Sequence, residues 1–158
     1  MNKLWAPWRR KFLAHPKPKS CIFCRLPKSR NDRKSLIVER GKTVFSMLNL
    51  YPYNNGHVMV SPYRHLDSPE RMTAAEWSEL FVLVKKTKEQ LDRILKPHGY
   101  NMGMNVGRVA GAGYDKHVHF HLVPRWNGDT NFIPVVAGDK VISESLDELW
   151  KRLDRARR

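Results

Sequence analysis

The stretch Lys116-His-Val-His-Phe-His-Leu-Val-Pro-Arg-Trp126 holds three of the chain's seven histidines and alternates them with apolar residues. In an extended strand, residues two apart share a face and stand about 6.5 to 7 Å from each other. His117, His119 and His121 therefore line one side, and Val118, Phe120 and Leu122 line the other. The apolar side reads as a core face, which leaves a row of imidazoles spanning about 13 Å opposite it, the length of an extended polyphosphate. A surface strand with incidental histidines explains the pattern poorly, because a threefold alternation with apolar complements at every intervening position is hard to reach by chance. A metal site built from all three is excluded by geometry. Ligands spread along one straight strand cannot converge on an ion whose bonds are about 2.1 Å long, so at most two of them share a metal.

Working outward, Gly107 to Asp115 is a glycine-rich loop, and Tyr100 to Val106 before it reads as a strand. No Gly-Lys-Ser/Thr follows the glycines, so this is not a Walker phosphate loop. Earlier, Ser35 to Glu39 and Thr43 to Leu50 alternate apolar and polar residues around a turn at Arg40, Gly41 and Lys42, which predicts a hairpin. His57 to Ser61 is a further short strand, ended by Pro62. Thr73 with Glu76 three residues later forms a capping box. Trp77, Leu80, Phe81, Val84, Leu91, Ile94 and Leu95 then recur at helical spacing until Pro97 and Gly99. A last helix spans about Ser143 to Arg155, capped by Ser143 or Ser145, with Leu146, Leu149, Trp150 and Leu153 on one face. Strands, one long helix, more strands and a C-terminal helix predict an α+β fold with a mostly antiparallel sheet.

The chain has 158 residues, 41% hydrophobic and 28% charged, with a formal net charge of +14. That composition suits one globular domain and excludes a disordered chain. No apolar run approaches the roughly 20 residues of a membrane span, and basic residues and Pro7 interrupt the N-terminus, so no secretory signal forms. A cytoplasmic protein without membrane contact is expected. The charge is uneven: residues 1–42 hold 13 Lys/Arg against 2 Asp/Glu, residues 43–138 hold 10 against 8, and residues 139–158 hold 6 against 5. We read residues 1–20 as a basic extension and 21–158 as one domain. Nucleic acid or a phosphate-rich ligand is a partner that the arm's charge permits, although Trp5, Trp8, Phe12 and Phe23 form no known single-strand-binding module. Both cysteines lie in Cys21-Ile-Phe-Cys24, a spacing shared by zinc knuckles and redox pairs, and a zinc site needs two further ligands. From the residues alone, zinc and a reduced dithiol both remain open.

His-x-His-x-His followed by two apolar residues, together with Gly-His-Val-Met-Val-Ser-Pro-Tyr-Arg-His (56–65), resembles the histidine triad (HIT) family of nucleotide hydrolases and transferases. The resemblance extends over about Cys21 to Phe132, and Pro-Arg-Trp-Asn-Gly-Asp-Thr-Asn-Phe (124–132) is similar to a bacterial branch that includes diadenosine tetraphosphate phosphorylases. It implies that His119 attacks the α-phosphorus of a nucleotide and forms a nucleotidyl-imidazole that water or phosphate then resolves. His57 and His121 match the positions that donate to phosphate oxygens. Asn49 matches the ribose contact, Ile22, Phe23 and Leu50 the base contacts, and Asn105 a phosphate contact. Gly113 and Tyr114 stand where many members carry Gln and Ser or Thr, so Tyr114, Lys116 and the amides of Gly111 to Gly113 become candidates for holding the leaving group. By the same resemblance, His65 and His117 complete a zinc site with Cys21 and Cys24, and the protein is a homodimer. The expected substrate is a nucleotide or dinucleoside polyphosphate. A phosphoramidate hydrolase or general nucleotidyltransferase, and a basic nucleic-acid-binding module with a vestigial triad, are the alternatives.

Overall fold

In the computed structural model, which describes residues 20–111, 113–129, 142 and 144–157, five strands pair into one sheet. They are β1 (Ile37–Arg40), β2 (Val44–Leu48), β3 (Val58–Pro62), β4 (Gly99–Met104) and β5 (Phe120–Arg125). Their spatial order is β1-β2-β3-β5-β4, and every neighbouring pair is antiparallel. The helices are α1 (Ile22–Arg25), α2 (Asp32–Ser35), α3 (Ala74–Leu95) and α4 (Leu146–Arg157), which makes the α+β arrangement expected from the sequence. The basic arm over residues 1–19, Ser143 and Thr130 to Phe132 lie outside the described residues.

Period-2 alternation gives the sheet two faces, and each has its own cover. On one, Val44, Leu48, Val58, Val60 and Leu122 pack against Leu80, Leu83, Val84 and Leu91 of α3 and against Leu149 and Leu153 of α4. On the other, Ile37, Phe45, Met47 and Met59 surround Phe23 from α1. Helix α3 starts at the capping box read from the sequence: the Thr73 hydroxyl accepts from the Glu76 amide, and the Glu76 carboxylate accepts from the Thr73 amide. Glu76 also takes a bidentate grip from Arg64, at 2.7 and 2.8 Å, which holds its carboxyl down at about 2. Ser145 is the observed cap of α4, its hydroxyl accepting from the Glu148 amide. The Trp150 indole donates to the Ile37 carbonyl at 2.7 Å, a packing role.

Two strands start two or more residues later than their patterns predict. Asp32–Ser35 closes into a helical turn capped by Asn31, and Leu36 then adopts a left-handed conformation (φ 58°), so β1 begins at Ile37. Pairing in β5 begins at Phe120 rather than Lys116, because the backbone just before it is engaged elsewhere. The Val118 amide donates to Leu66, the Val118 carbonyl accepts from the Ser61 hydroxyl, and the His117 carbonyl accepts from the His119 ring. The alternation of side chains survives this departure from the ladder. Val118 and Leu122 are buried in the helix-covered layer, and the histidines face the other way. His98 bridges to the turn after β5: its amide donates to the Arg125 carbonyl and its Nδ1 accepts from the Asn127 amide.

Candidate active site

The histidine face is as buried as the apolar one: His57, His117, His119 and His121 are all within 7% of full burial. Phe23 stacks on the His119 ring at 4.8 Å between centroids and lies 5.2 Å from that of His117. Tyr53 covers His57 at 4.5 Å and His121 at 5.5 Å. Gly103 sits opposite His121 on β4.

Hydrogen bonds from backbone groups assign the protons, since a carbonyl can only accept and an amide N–H can only donate. His119 Nδ1 lies 2.8 Å from the His117 carbonyl, so Nδ1 carries the proton and the lone pair is on Nε2. Burial pushes the His119 imidazolium below its ordinary value, keeping the ring neutral. The Tyr53 amide donates to His57 Nδ1 at 3.0 Å, so His57 carries its proton on Nε2. That nitrogen stands 2.9 Å from His121 Nδ1, which must accept, and His121 therefore carries its proton on Nε2; Asn105 Nδ2, 3.5 Å from that nitrogen, is itself a donor and makes no hydrogen bond to it in this tautomer. One ring thus offers a lone pair, and the neighbouring ring offers a proton.

His117 has the opposite tautomer from His119. Its Nε2 donates to the Pro62 carbonyl at 3.0 Å, so Nδ1 brings a lone pair toward Cys21 Sγ (3.3 Å), Cys24 Sγ (3.6 Å) and His65 Nδ1 (3.3 Å). Cys24 Sγ and His65 Nδ1 are also 3.3 Å apart. Bonds of about 2.0 to 2.3 Å to a tetrahedral ion require ligand atoms about 3.3 to 3.8 Å apart, so these contacts have the spacing of a tetrahedral metal site. The four ligand atoms all lie within 4.8 Å of one another, and the group can hold a metal. Burial, with a further rise from Cys21, pushes the Cys24 thiol up to about 11, and burial holds His117 down at about 4. A cation among them would deprotonate the thiols.

A model of the HIT domain matches residues 30–128 of this chain. The chain belongs to the HIT family. It is 41% identical to an AP-4-A phosphorylase of Mycobacterium tuberculosis over 97% of this chain and 83% of that one. An uncharacterized HIT-like protein of Methanocaldococcus jannaschii is 37% identical over 84% of this chain and 98% of its own length. A crystal structure described as a hypothetical histidine triad nucleotide-binding protein from Sulfolobus tokodaii superimposes with a TM-score of 0.67 at 25% identity, covering 86% of this chain and 91% of that one.

Within this HIT site, Asn105 and Tyr114 line a cleft that His119 also lines, together with Asp67 and Asp115. Arg71 holds Asp67 at 2.9 Å and Arg108 lies 3.9 Å from Asp115, so neither carboxylate faces the cleft without a cation near it. Gly113 precedes Tyr114 in the same loop, and Lys116 is exposed. The Tyr114 hydroxyl is turned toward Cys21, and its ring meets Phe23 edge-on at 6.0 Å. Ile22 packs beside Phe23, whereas Leu50 is 57% exposed beyond the end of β2. Asn49, expected at the ribose, has its Oδ1 accepting from the Tyr51 amide and its Nδ2 3.3 Å from His57 Nδ1. Sequence reasoning missed Tyr53, Asn54 and Ser61. Tyr53 and Asn54 lie in the turn before His57 and Ser61 within the 56–65 motif, and side-chain pattern alone does not reveal that the turn's backbone sets a ring's tautomer.

Proposed function

We propose that this HIT protein cleaves dinucleoside polyphosphates such as diadenosine tetraphosphate, by hydrolysis or phosphorolysis, through a nucleotidyl-His119 intermediate. The carrying observation is the His119 ring, buried, neutral and anchored through Nδ1–H so that only Nε2 can attack. Nε2 forms a bond to the α-phosphorus as the bond to the bridging oxygen breaks, and ATP departs with that electron pair. The His117 carbonyl then faces an Nδ1–H whose ring has become cationic, and it stabilises that charge. His121 Nε2–H, backed by His57, donates to the phosphoryl oxygens as negative charge builds on them. Attack by phosphate releases ADP and attack by water releases AMP, each restoring neutral His119. Similarity to the M. tuberculosis phosphorylase favours phosphate as the acceptor.

Incubation with diadenosine tetraphosphate and excess phosphate, followed by chromatography, should yield ADP plus ATP from a phosphorylase and AMP plus ATP from a hydrolase. His119→Ala should abolish turnover while nucleotide binding remains measurable; unchanged kcat in that variant overturns the mechanism. Release of ammonia from adenosine phosphoramidate, with no cleavage of dinucleotides, would favour the phosphoramidase alternative.

We further read the Cys21, Cys24, His65 and His117 cluster as a structural zinc site, on the strength of its ligand spacing and the inward lone pair of His117. Bound zinc supplies the charge that keeps both thiols deprotonated and fixes the four ligand positions. A thiol pair used in this way suits the reducing cytoplasm. Among the described residues no helix is long and apolar enough to cross a membrane. Residues 1–20, with 6 Lys/Arg and no Asp/Glu, are read as an extension whose charge draws polyphosphates toward the domain. A second copy of the chain is proposed to pair along β4, supported by the exposure of Phe81 and Met102 beside that edge.

A further inference from the structure

We propose that Asn54 and Asp129 are positioning residues for the reaction: they lock the turn whose backbone fixes the tautomers of His57 and His121. The proposal rests on the catalytic reading of the histidines given above. It starts from a buried hydrogen-bond clamp that touches none of the reacting groups. Asn54 is 5% exposed, and both hydrogens of its amide are committed, one to the Pro124 carbonyl at 3.0 Å and one to Asp129 Oδ2 at 2.9 Å. Its own Oδ1 accepts from the Asn55 amide, and its carbonyl accepts from the His57 amide. Asp129 is held in turn by Arg125, through Nε at 2.5 Å and Nη2 at 2.8 Å, and by the Trp126 amide. Arg125 is fixed by Asn101 on β4. The turn before His57 is thereby tied to the far end of β5, the strand that carries His121.

The clamp has a chemical consequence through Tyr53. Its amide, adjacent to Asn54, is the closer of two donors, with Asn49 Nδ2, that make His57 Nδ1 an acceptor and so put the proton on Nε2. If the turn shifts, that donor leaves Nδ1 and Asn49, held to the same turn by the Tyr51 amide, shifts with it; His57 can then take either tautomer, and His121 no longer has a fixed Nε2–H to present to the phosphate. Gly56 keeps the turn tight: it lies at φ +74°, and an added Cβ would stand 2.9 Å from Pro124 Cγ and 2.6 Å from Leu95 Cδ1. The clamp also explains why the turn after β5 is bound so closely. Four donors converge on one carboxylate there, far more than a surface turn needs.

The test uses the full-length chain with Asn54→Leu, which removes both donors at similar volume, and Asp129→Asn, which keeps the shape and removes the charge. Two-bond nitrogen–proton spectra of labelled histidine report each ring's tautomer directly. Wild type should show His57 and His121 as Nε2–H at neutral pH, and the variants should show His57 averaged between tautomers. Turnover of diadenosine tetraphosphate should fall by up to about 100-fold in kcat, with KM within about threefold, as expected for a donor displaced by about an ångström. Wild-type kcat with a fixed Nε2–H tautomer in Asp129→Asn overturns the proposal, even if Asn54→Leu fails to fold. A loss confined to KM overturns it equally. Failure of the underlying reading looks different, because His119→Ala would then retain turnover whatever the clamp variants do.

Discussion

In the proposed mechanism His119 is prepared by three neighbours: the His117 carbonyl that accepts a hydrogen bond from its Nδ1–H, Phe23 that excludes water from one ring face, and His121 edge-on at 4.8 Å. Burial disfavours the imidazolium, so the folded-state value lies below the ordinary 6.5. The sign follows directly. At pH 6.5 the ring is mostly neutral and its Nε2 lone pair is available, and activity is lost only as pH falls through the lowered value. The acid limb of kcat/KM, which reports the free enzyme, should therefore lie below pH 6.5. A dinucleoside tetraphosphate suits the measurement because it has no terminal phosphate monoester to titrate in that range. An acid limb at or above pH 6.5 that disappears in no other single-histidine variant would contradict the buried, neutral nucleophile. At this scale the sequence brings the candidate histidines to one face and hides their proton positions. Alternation places three imidazoles on one side, but whether Nδ1 or Nε2 is protonated depends on Pro62, Tyr53 and His117 backbone groups that no side-chain pattern encodes.

Helix α1 is one turn long, too short to be stable by itself, and in the zinc reading its position is set by its flanking cysteines. Phe23 lies between them, fully buried, and covers both the nucleophile and His117. Protein purified without added metal should hold about one equivalent of zinc per chain, and Cys21→Ser or Cys24→Ser should lose it and lower the melting temperature. Because Phe23 moves with its cysteines, the same variants should raise the KM for nucleotide. Less than about a tenth of an equivalent, with folding indifferent to Cys21→Ser, would dismiss the metal. The elements differ in how well the sequence exposes them. Helix α3 was legible because capping box, apolar periodicity and Pro97 all agree, and the observed helix ends at Leu95. The triad strand was legible only in part. Its alternation was correct, but the start of pairing depends on Leu66 and Ser61, which are distant in sequence and compete for the backbone of Val118. Phe81 was the exception within α3: it recurs at core spacing yet remains 54% exposed, stacked on Trp77 and edge-on to Phe120.

That exposed ring belongs to a larger question about how the sheet ends. Chain charge does not bear on it, since the excess lies in the first 42 residues and the rest is nearly neutral. An edge strand offers a row of backbone donors and acceptors, and proteins that remain monomeric protect such edges with charge, proline, bulges or a covering element. Strand β4, Gly99-Tyr-Asn-Met-Gly-Met104, is an outer strand of the sheet and contains no charged residue and no proline. Met102 on it is 51% exposed, and Phe81 and Val82 of α3 are 54% and 63% exposed. A twofold axis through the middle of β4 would pair the strand with its own copy, continue the sheet across both chains and bring the exposed apolar groups together, which is the isologous contact that homodimers favour. Sedimentation at micromolar concentration should therefore give twice the 18.5 kDa chain mass. Phe81→Lys combined with Met102→Lys should shift the species toward the single-chain mass while leaving the far-ultraviolet dichroism unchanged. A wild-type protein that sediments at 18.5 kDa, or a double variant that dimerises as well as wild type, rules out pairing through this edge.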